Sequence, residues 1–410
     1  MIHNRVLNNK GMHYGWIVLC IVTLLEGLSG VGRTIALSPL LQDLCNDLSL
    51  SMTQISSGYA LSHLCAVFVL PFIGKLYDKI KTSRFLLFFV LLFSSSFILL
   101  SQIANLALSP LGSVGMILLG YIGIRLSVHS YSIAGRATIA MWFSHQRGIA
   151  VGCYALFTML IGSMIPSIIY GLRQRYHWSN IWLAIGLLWF LMGSICFLVK
   201  SHNRIVDSPS CTSSEPTIRT LRPFLFIFVM ITLFFKAFQN SGIMLHLFPI
   251  CTDFGADKKL ISLCYMPIYI VSSLCTFIFG HIFKQNKAKG ALFLFIFADL
   301  GMLIALKGIA HTSAIIAFVL FTSIYWSMNN IVATLVLPIL FGVKKIGTLH
   351  GWAYAFVSLG SAAGSLYFGV MKDYASYQLS LSLCVAFAGL LLLILLCIKP
   401  TSFVSDEEAL

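Results

Sequence analysis

Residues 85–104, FLLFFVLLFSSSFILLSQIA, run for twenty positions without a charge. A bilayer hydrocarbon core about 30 Å thick takes about 20 helical residues to cross, because in lipid every backbone N–H and C=O must be bonded inside its own segment. The stretch reads as one membrane span. Upstream of it the polar turn 74–84, GKLYDKIKTSR, follows a second apolar run at 53–73, and downstream a short break leads into a third at 110–132. Further apolar runs lie at 14–38, 148–170, 178–199, 223–248, 260–282, 291–308, 312–340, 348–370 and 379–398, twelve in all. They predict an all-α membrane protein with 12 transmembrane helices.

The composition agrees, with 58% hydrophobic and 10% charged residues and a mean hydropathy of +0.91. No soluble domain of 410 residues carries such a surface. The formal charge of +14 invites a nucleic-acid partner, but the position of the basic residues reads as topology instead. With both termini in the cytoplasm, 18 Lys and Arg lie on the cytoplasmic side, six lie outside and three fall within spans. That bias sets an N-in, C-in orientation, the short loops suggest the cell inner membrane, and no nucleic-acid partner is expected. The 11 cysteines are scattered singly through apolar segments, so neither a metal site nor a disulfide framework is indicated. Residues 1–13 lack the apolar core of a removable signal peptide, and the first span is expected to stay in the protein.

Residues 200–222 are polar, Ser-rich and proline-containing, a cytoplasmic linker by composition. They separate an N-terminal six-helix bundle, 1–199, from a C-terminal one, 223–410. The halves echo each other: Ser38-Pro39-Leu40-Leu41-Gln42-Asp43-Leu44 closes the first span and Phe248-Pro249-Ile250-Cys251-Thr252-Asp253-Phe254 the seventh, with proline and aspartate at an offset of 210 residues. Such repeats are how many secondary transporters build an alternating-access pair. No phosphate-binding Gly-x-x-x-x-Gly-Lys-[Ser/Thr] loop occurs, so transport is expected to draw on an ion or solute gradient unless a separate ATPase assists. Neither an enzymatic activity nor a cofactor is indicated.

The turn Gly74-Lys75-Leu76-Tyr77-Asp78-Lys79-Ile80-Lys81-Thr82-Ser83-Arg84 resembles the G-x-x-x-D-[RK]-x-G-x-[RK] loop of the major facilitator superfamily, with Lys81 in place of the second glycine. The resemblance implies the fold of that family, two six-helix bundles related by a pseudo-twofold. It also implies a cytoplasmic gate of Gly74, Asp78, Arg84 and Arg136, in which Asp78 faces the start of the eleventh helix near Thr348 and the basic Arg136. The equivalent turn of the second half, Gly280-His281-Ile282-Phe283-Lys284, keeps the glycine but has no acid. Met141-Trp142-Phe143-Ser144-His145-Gln146-Arg147-Gly148, followed by Ala150 and Gly152, is similar to a signature of the monocarboxylate and oxalate/formate branch. So are His177-Trp178-Ser179-Asn180-Ile181-Trp182 and the glycine pattern Gly342, Gly347, Gly351, Gly360, Gly364, Gly369. Members of that branch commonly carry a substrate-linked arginine in the eighth span, where residues 260–282 have neither arginine nor acid.

A charge at bilayer depth is costly unless paired or wetted, so each one is a functional candidate. Five lie within spans: Glu26 and Arg33 in the first, Arg125 in the fourth, Lys236 in the seventh and Asp299 in the ninth. In the family's architecture the first, fourth, seventh and tenth spans line the central cavity. Glu26 and Arg33 are two turns apart on one expected helix face, about 10 Å along the axis. Arg125 shares a face with His129, Lys236 with Gln239 and Asn240, and Tyr325 with Asn329. These nine residues are the expected substrate-binding or coupling set.

The 210-residue offset maps Glu26 onto Lys236, which suggests that the two pair when the site is empty and that an anion taking over Lys236 leaves Glu26 to bind a proton. Arg33 reads either as a substrate contact or as a side chain snorkelling to the interface. Arg125 reads equally as an anion contact or a helix-to-helix bond. Asp299, on a peripheral helix, reads as one member of a buried pair. His63, His129 and His246 read as hydrogen-bonded core residues, with proton shuttling as the alternative. Arg33, Arg125 and Lys236 against Glu26 give the expected site a charge of about +2, which favours an anion.

The sequence therefore predicts a monomeric secondary transporter in the bilayer, moving a small organic anion with H+ or against another anion. An exporter of drugs or metabolites, such as a siderophore exporter, is the alternative within transport. A non-transporting membrane sensor that kept the fold is the alternative outside it.

Overall fold

A computed structural model of the chain describes residues 2–106, 109–143, 147–199, 223–283, 288–332, 336–337, 340 and 346–398. Side chains are left undescribed at 2–13, 71, 78, 136, 137, 139–141, 147, 148, 151, 223, 346–352 and 354. All regular structure among the described residues is helical. Eleven of the described helices are long and apolar enough to cross a membrane. A further helix of 29 residues, Ile346–Tyr374, takes the place of the eleventh expected span. The chain is an all-α, multi-pass membrane protein.

It divides into two compact units, Met1–Ser208 and Pro209–Leu410, and the expected linker 200–222 lies outside the described residues. The first unit contains α1 (Ile2–Leu28), α2 (Thr34–Leu37), α3 (Leu41–Leu48), α4 (Met52–Lys79), α5 (Thr82–Ser101), α6 (Pro110–Trp142), α7 (Arg147–Arg173) and α8 (Trp178–Met192). The second contains α9 (Pro223–Asp253), α10 (Lys258–Ile282), α11 (Ala288–Lys307), α12 (Thr312–Ile331), α13 (Ile346–Tyr374) and α14 (Tyr377–Cys397).

The two units pack by the same scheme. In the first, α1 lies on α7, α4 on α6, and α5 on both α6 and α8; in the second, α9 lies on α13, α10 on α12, and α11 on both α12 and α14. The α9–α13 contact is the tightest kind a helix pair can make. A Cβ at Gly360 would fall 2.2 Å from the carbonyl oxygen of Phe234, and one at Gly364 would fall 1.8 Å from that of Phe238. Glycine spaced at one turn lets the backbones touch, which is how helices associate where burial of apolar surface gives no drive. Large apolar side chains such as Phe68, Phe157, Phe277 and Leu393 are exposed, as a lipid-facing surface requires.

The aspartates of the repeat do the same work twice. Asp43 accepts two bonds from Arg173 at the end of α7, both 2.5 Å, and Asp253 accepts two from Lys372 near the end of α13, at 2.8 and 2.6 Å. Each clamp ties the first and fifth spans of its unit at the end remote from the start of α1 or α9. Beside the first clamp, Asp47 accepts from Trp178 Nε1 at 2.6 Å and contacts His177 Nε2 at 2.8 Å.

The first span departs from expectation. Instead of one helix over 14–38, α1 stops at Leu28, a 310 turn covers Ser29–Gly32, and Arg33 is extended at φ −84°, ψ 160° before the short α2. Glycines at 30 and 32 weaken the helix at this point, each by about 1 kcal/mol relative to alanine. Packing then fixes the break, since a Cβ at Gly32 would sit 2.4 Å from Ile124. Its counterpart α9 runs unbroken to Asp253 through Pro249. Glu26 and Arg33 are therefore not two turns apart on one helix.

Candidate functional site

In the first unit the helix break gathers polar groups from α1, α2, α4 and α6. Arg33 turns back so that its Nη2 lies 3.6 Å from Glu26 Oε1, with 39% of the Arg33 side chain and 10% of the Glu26 side chain exposed. The cation is the open member of this pair and the carboxylate the covered one. Arg125, on α6, is buried; its Nη2 donates to Thr34 Oγ1 at 3.3 Å and its guanidinium lies 4.6 Å from the centre of the Tyr59 ring. Thr34 Oγ1 and Tyr59 OH are 2.5 Å apart, so the hydroxyl pair and the ring hold the guanidinium from two sides. A cation over a desolvated aromatic face is worth about 2 kcal/mol, which offsets part of the cost of burying Arg125.

Two nitrogens are left over. Arg125 Nε, a donor, and His63 Nε2 are buried and have no hydrogen-bond partner, although buried polar groups are nearly always satisfied. His63 packs edge-on against Tyr59 with ring centroids 5.1 Å apart, and Tyr121 does the same from another side at 5.1 Å. His129 is half-buried one turn along α6 from Arg125. Arg33 and Arg125 thus outnumber Glu26 among these groups, which carry a net positive charge, and Arg125 Nε has unused hydrogen-bonding capacity.

The second unit gathers its polar groups differently. Lys236 does not stand open on α9; it forms an ion pair with Asp299 on α11, and the two side chains are 1% and 0% exposed. The expected pairing of Lys236 with Glu26 is replaced by one partner within each unit, because α9 and α11 bring the second unit's two buried charges together. Counting Asp299 lowers the charge of the candidate residues to +1, three cations against two carboxylates. Gln239 and Tyr325 close around the pair, Asn240 bonds to Trp326 at 2.9 Å, and Asn329 is exposed outside this cluster. His246 is buried between Tyr377 OH, 2.8 Å from Nδ1, and the carbonyl of Ser365, 3.3 Å from Nε2. A carbonyl only accepts, so Nε2 carries a proton, and His246 is a hydrogen-bonded core residue.

At the expected gate, Gly74 faces open space and Arg84 is exposed at the start of α5, while the side chains of Asp78, Arg136 and Thr348 lie outside the described ones. Residues 144–146 of the branch-like signature and 341–345 of the glycine pattern also lie outside the described residues. The aromatic pair before residue 144 has a packing role: Phe143 meets Trp16 edge-on at 4.8 Å, and Trp142 meets Tyr14 at 5.5 Å. Sequence reasoning missed Thr34, Tyr59 and Tyr121. The available signal was Tyr59 and His63, two polar aromatic groups one turn apart on a membrane span.

The family model of the Major Facilitator Superfamily matches residues 19–365, and the chain belongs to that superfamily. It is a multi-pass membrane transporter. Among solved structures it is similar to a point mutant of the nucleoside transporter NupG, at 13% identity and a TM-score of 0.72 over 92% of this chain and 99% of that one. It is also similar to a bacterial homolog of the human lysosomal transporter Spinster in an inward-facing, unoccupied conformation, at 14% identity and a TM-score of 0.65, covering 95% and 94%. Likeness at this identity shows the fold alone. No curated protein sequence matches the chain.

Proposed function

We propose that the chain moves a small, carboxylate-like organic anion across the cell inner membrane by alternating access, coupled to protons or to a counter-anion. The observation that carries this reading is the first unit's excess of positive charge at bilayer depth: buried Arg125 and half-exposed Arg33 against Glu26, with Arg125 Nε unpartnered. A guanidinium with donors to spare in a weakly screening medium suits a planar carboxylate above any cation. The half-exposed Arg33 is the group an incoming anion meets first, and Glu26 is what that anion displaces. Left without its cation in a poorly solvated place, Glu26 takes up a proton, which couples anion and proton in one step.

The positive-inside distribution supports cytoplasmic termini, and the glycine and tryptophan signatures support a position near the monocarboxylate and oxalate/formate branch. We take the monomer as the working unit.

The test is counterflow of radiolabelled acetate, lactate, oxalate, succinate and benzoate in proteoliposomes, with and without an inward proton gradient. One of these anions should exchange in the wild type and accumulate with the gradient. In Glu26→Gln, exchange should persist while the response to the gradient disappears. Full gradient dependence in Glu26→Gln would remove the coupling role, and counterflow of lipophilic cations alone would remove the anion reading.

A further inference from the structure

The break in the first span decides where Arg33 points. Arginine is a good helix former, and on an unbroken helix seven residues would set it about 10 Å from Glu26 along the axis. Instead its backbone is extended, at φ −84°, ψ 160°, and both of its backbone groups are committed: the N–H donates to the carbonyl of Gly30 at 3.0 Å and the carbonyl accepts from the N–H of Ala36 at 3.0 Å. The side chain then turns back to within 3.6 Å of Glu26. Gly30 and Gly32 permit this turn, but weak helix propensity alone does not hold one conformation.

The hold comes from two consecutive residues of α6, one on either side of Arg33. Gly32 lies so close to α6 that a Cβ there would fall 2.4 Å from Cγ2 of Ile124. Thr34 Oγ1 accepts from Nη2 of Arg125 at 3.3 Å. Tyr59 of α4 backs the second contact, with its hydroxyl 2.5 Å from Thr34 Oγ1 and its ring 4.6 Å from the Arg125 guanidinium. His63 and Tyr121, each edge-on at 5.1 Å, steady that ring in turn. Arg125 is 6% exposed, and its hydrogen bond goes to the residue next to Arg33.

We propose that Arg125 is a positioning residue: it holds Thr34, and through Thr34 the extended backbone of Arg33, so that the Arg33 guanidinium stands at Glu26 and is the cation that meets the ligand. Arg125 itself does not touch the ligand. The two arginines of the first unit divide the work, one for contact and one for aim. That Arg33 meets an anion rests on the function proposed above, whereas the hold of Arg125 on Arg33 does not.

Two measurements on the detergent-purified full chain test it. The first needs no ligand: modification of Arg33 by phenylglyoxal, followed by peptide mass spectrometry, with the exposed Arg175 as internal standard. It compares wild type with Arg125→Met, with Thr34→Val, which keeps the side chain's shape and removes its hydroxyl, and with Thr34→Ser, which keeps the hydroxyl. Arg33 should react about threefold faster in Arg125→Met and Thr34→Val, as release of a partly exposed ion pair gives, and at the wild-type rate in Thr34→Ser. A wild-type rate in either of the first two would overturn the positioning role, and Thr34→Val decides alone if Arg125→Met does not fold. In the second measurement lactate, oxalate and benzoate are titrated as stabilising ligands, with Tm as the readout. The anion that stabilises the wild type should bind about fivefold more weakly to Thr34→Val, the worth of one hydrogen bond, and with wild-type affinity to Thr34→Ser. Affinity unchanged or raised in Thr34→Val would overturn the assignment and return Arg125, freed of Thr34, to the ligand. Failure of all three anions to stabilise the wild type would count against the anion reading, and the modification rates would still decide the hold on Arg33.

Discussion

The two halves share a scaffold and divide the chemistry. Both use the same helix pairings and the same aspartate clamp at the remote end of the first and fifth spans. They part at the charged residues. In the first half the leading helix breaks and Arg33 stays 39% exposed; in the second the leading helix is continuous and Lys236 is paired with Asp299 away from solvent. Internal symmetry here governs how the helices pack and does not extend to the charged side chains within the spans.

That comparison is broken most severely through the helix pairs. Gly364→Ala places a methyl inside the carbonyl of Phe238, so α9 and α13 must separate, at a cost of about 3 kcal/mol. Little monodisperse protein should survive size-exclusion chromatography. On α7, the fifth span of the first half, a Cβ at Gly162 meets nothing within 4 Å, and Gly162→Ala should leave the elution profile and Tm unchanged. An equal loss in both variants would mean that the pairs are equally tight.

The clamps give the next largest contrast. Arg173→Ala removes a two-pronged contact with Asp43 and should cost about 1–2 kcal/mol, whereas Lys372→Ala removes a point charge from a more exposed Asp253 and should cost less than about 1 kcal/mol. Added salt should narrow the difference in Tm, because the Lys372 pair is the more exposed to screening. The smallest effect sharpens the first-half site. Tyr59→Phe loses the hydroxyl contact with Thr34 and keeps the ring under Arg125, for about 1 kcal/mol. Tyr59→Leu loses the ring too and should cost up to about 2 kcal/mol more, read as a further fall in Tm.

Most of the fold was legible in the sequence, because span length and the 210-residue echo are set by bilayer thickness and by the repeat itself. The break at residues 29–33 was not, since the apolar run continues through Gly30 and Gly32 and membrane helices carry glycine freely. Asp299 could be read as a buried partner from its isolation in an apolar helix. Its partner could not be read, because Lys236 lies 63 positions away and only the α9–α11 packing joins them. The offset that correctly matched Asp43 with Asp253 also matched Glu26 with Lys236, and there it pointed to equivalent positions that do different work. Thr34 and Tyr59 escaped notice because neutral hydroxyls in a span carry no charge to draw attention.

The central claim is that the first half alone meets the ligand's charge. Its most direct test is thermal stabilisation by the exchanging anion, measured side by side in wild type, Arg33→Gln and the combined Lys236→Met, Asp299→Leu variant. Stabilisation lost in Arg33→Gln and retained in the combined variant is the predicted result. Stabilisation retained in Arg33→Gln and lost in the combined variant would contradict the account and return the anion to the second half.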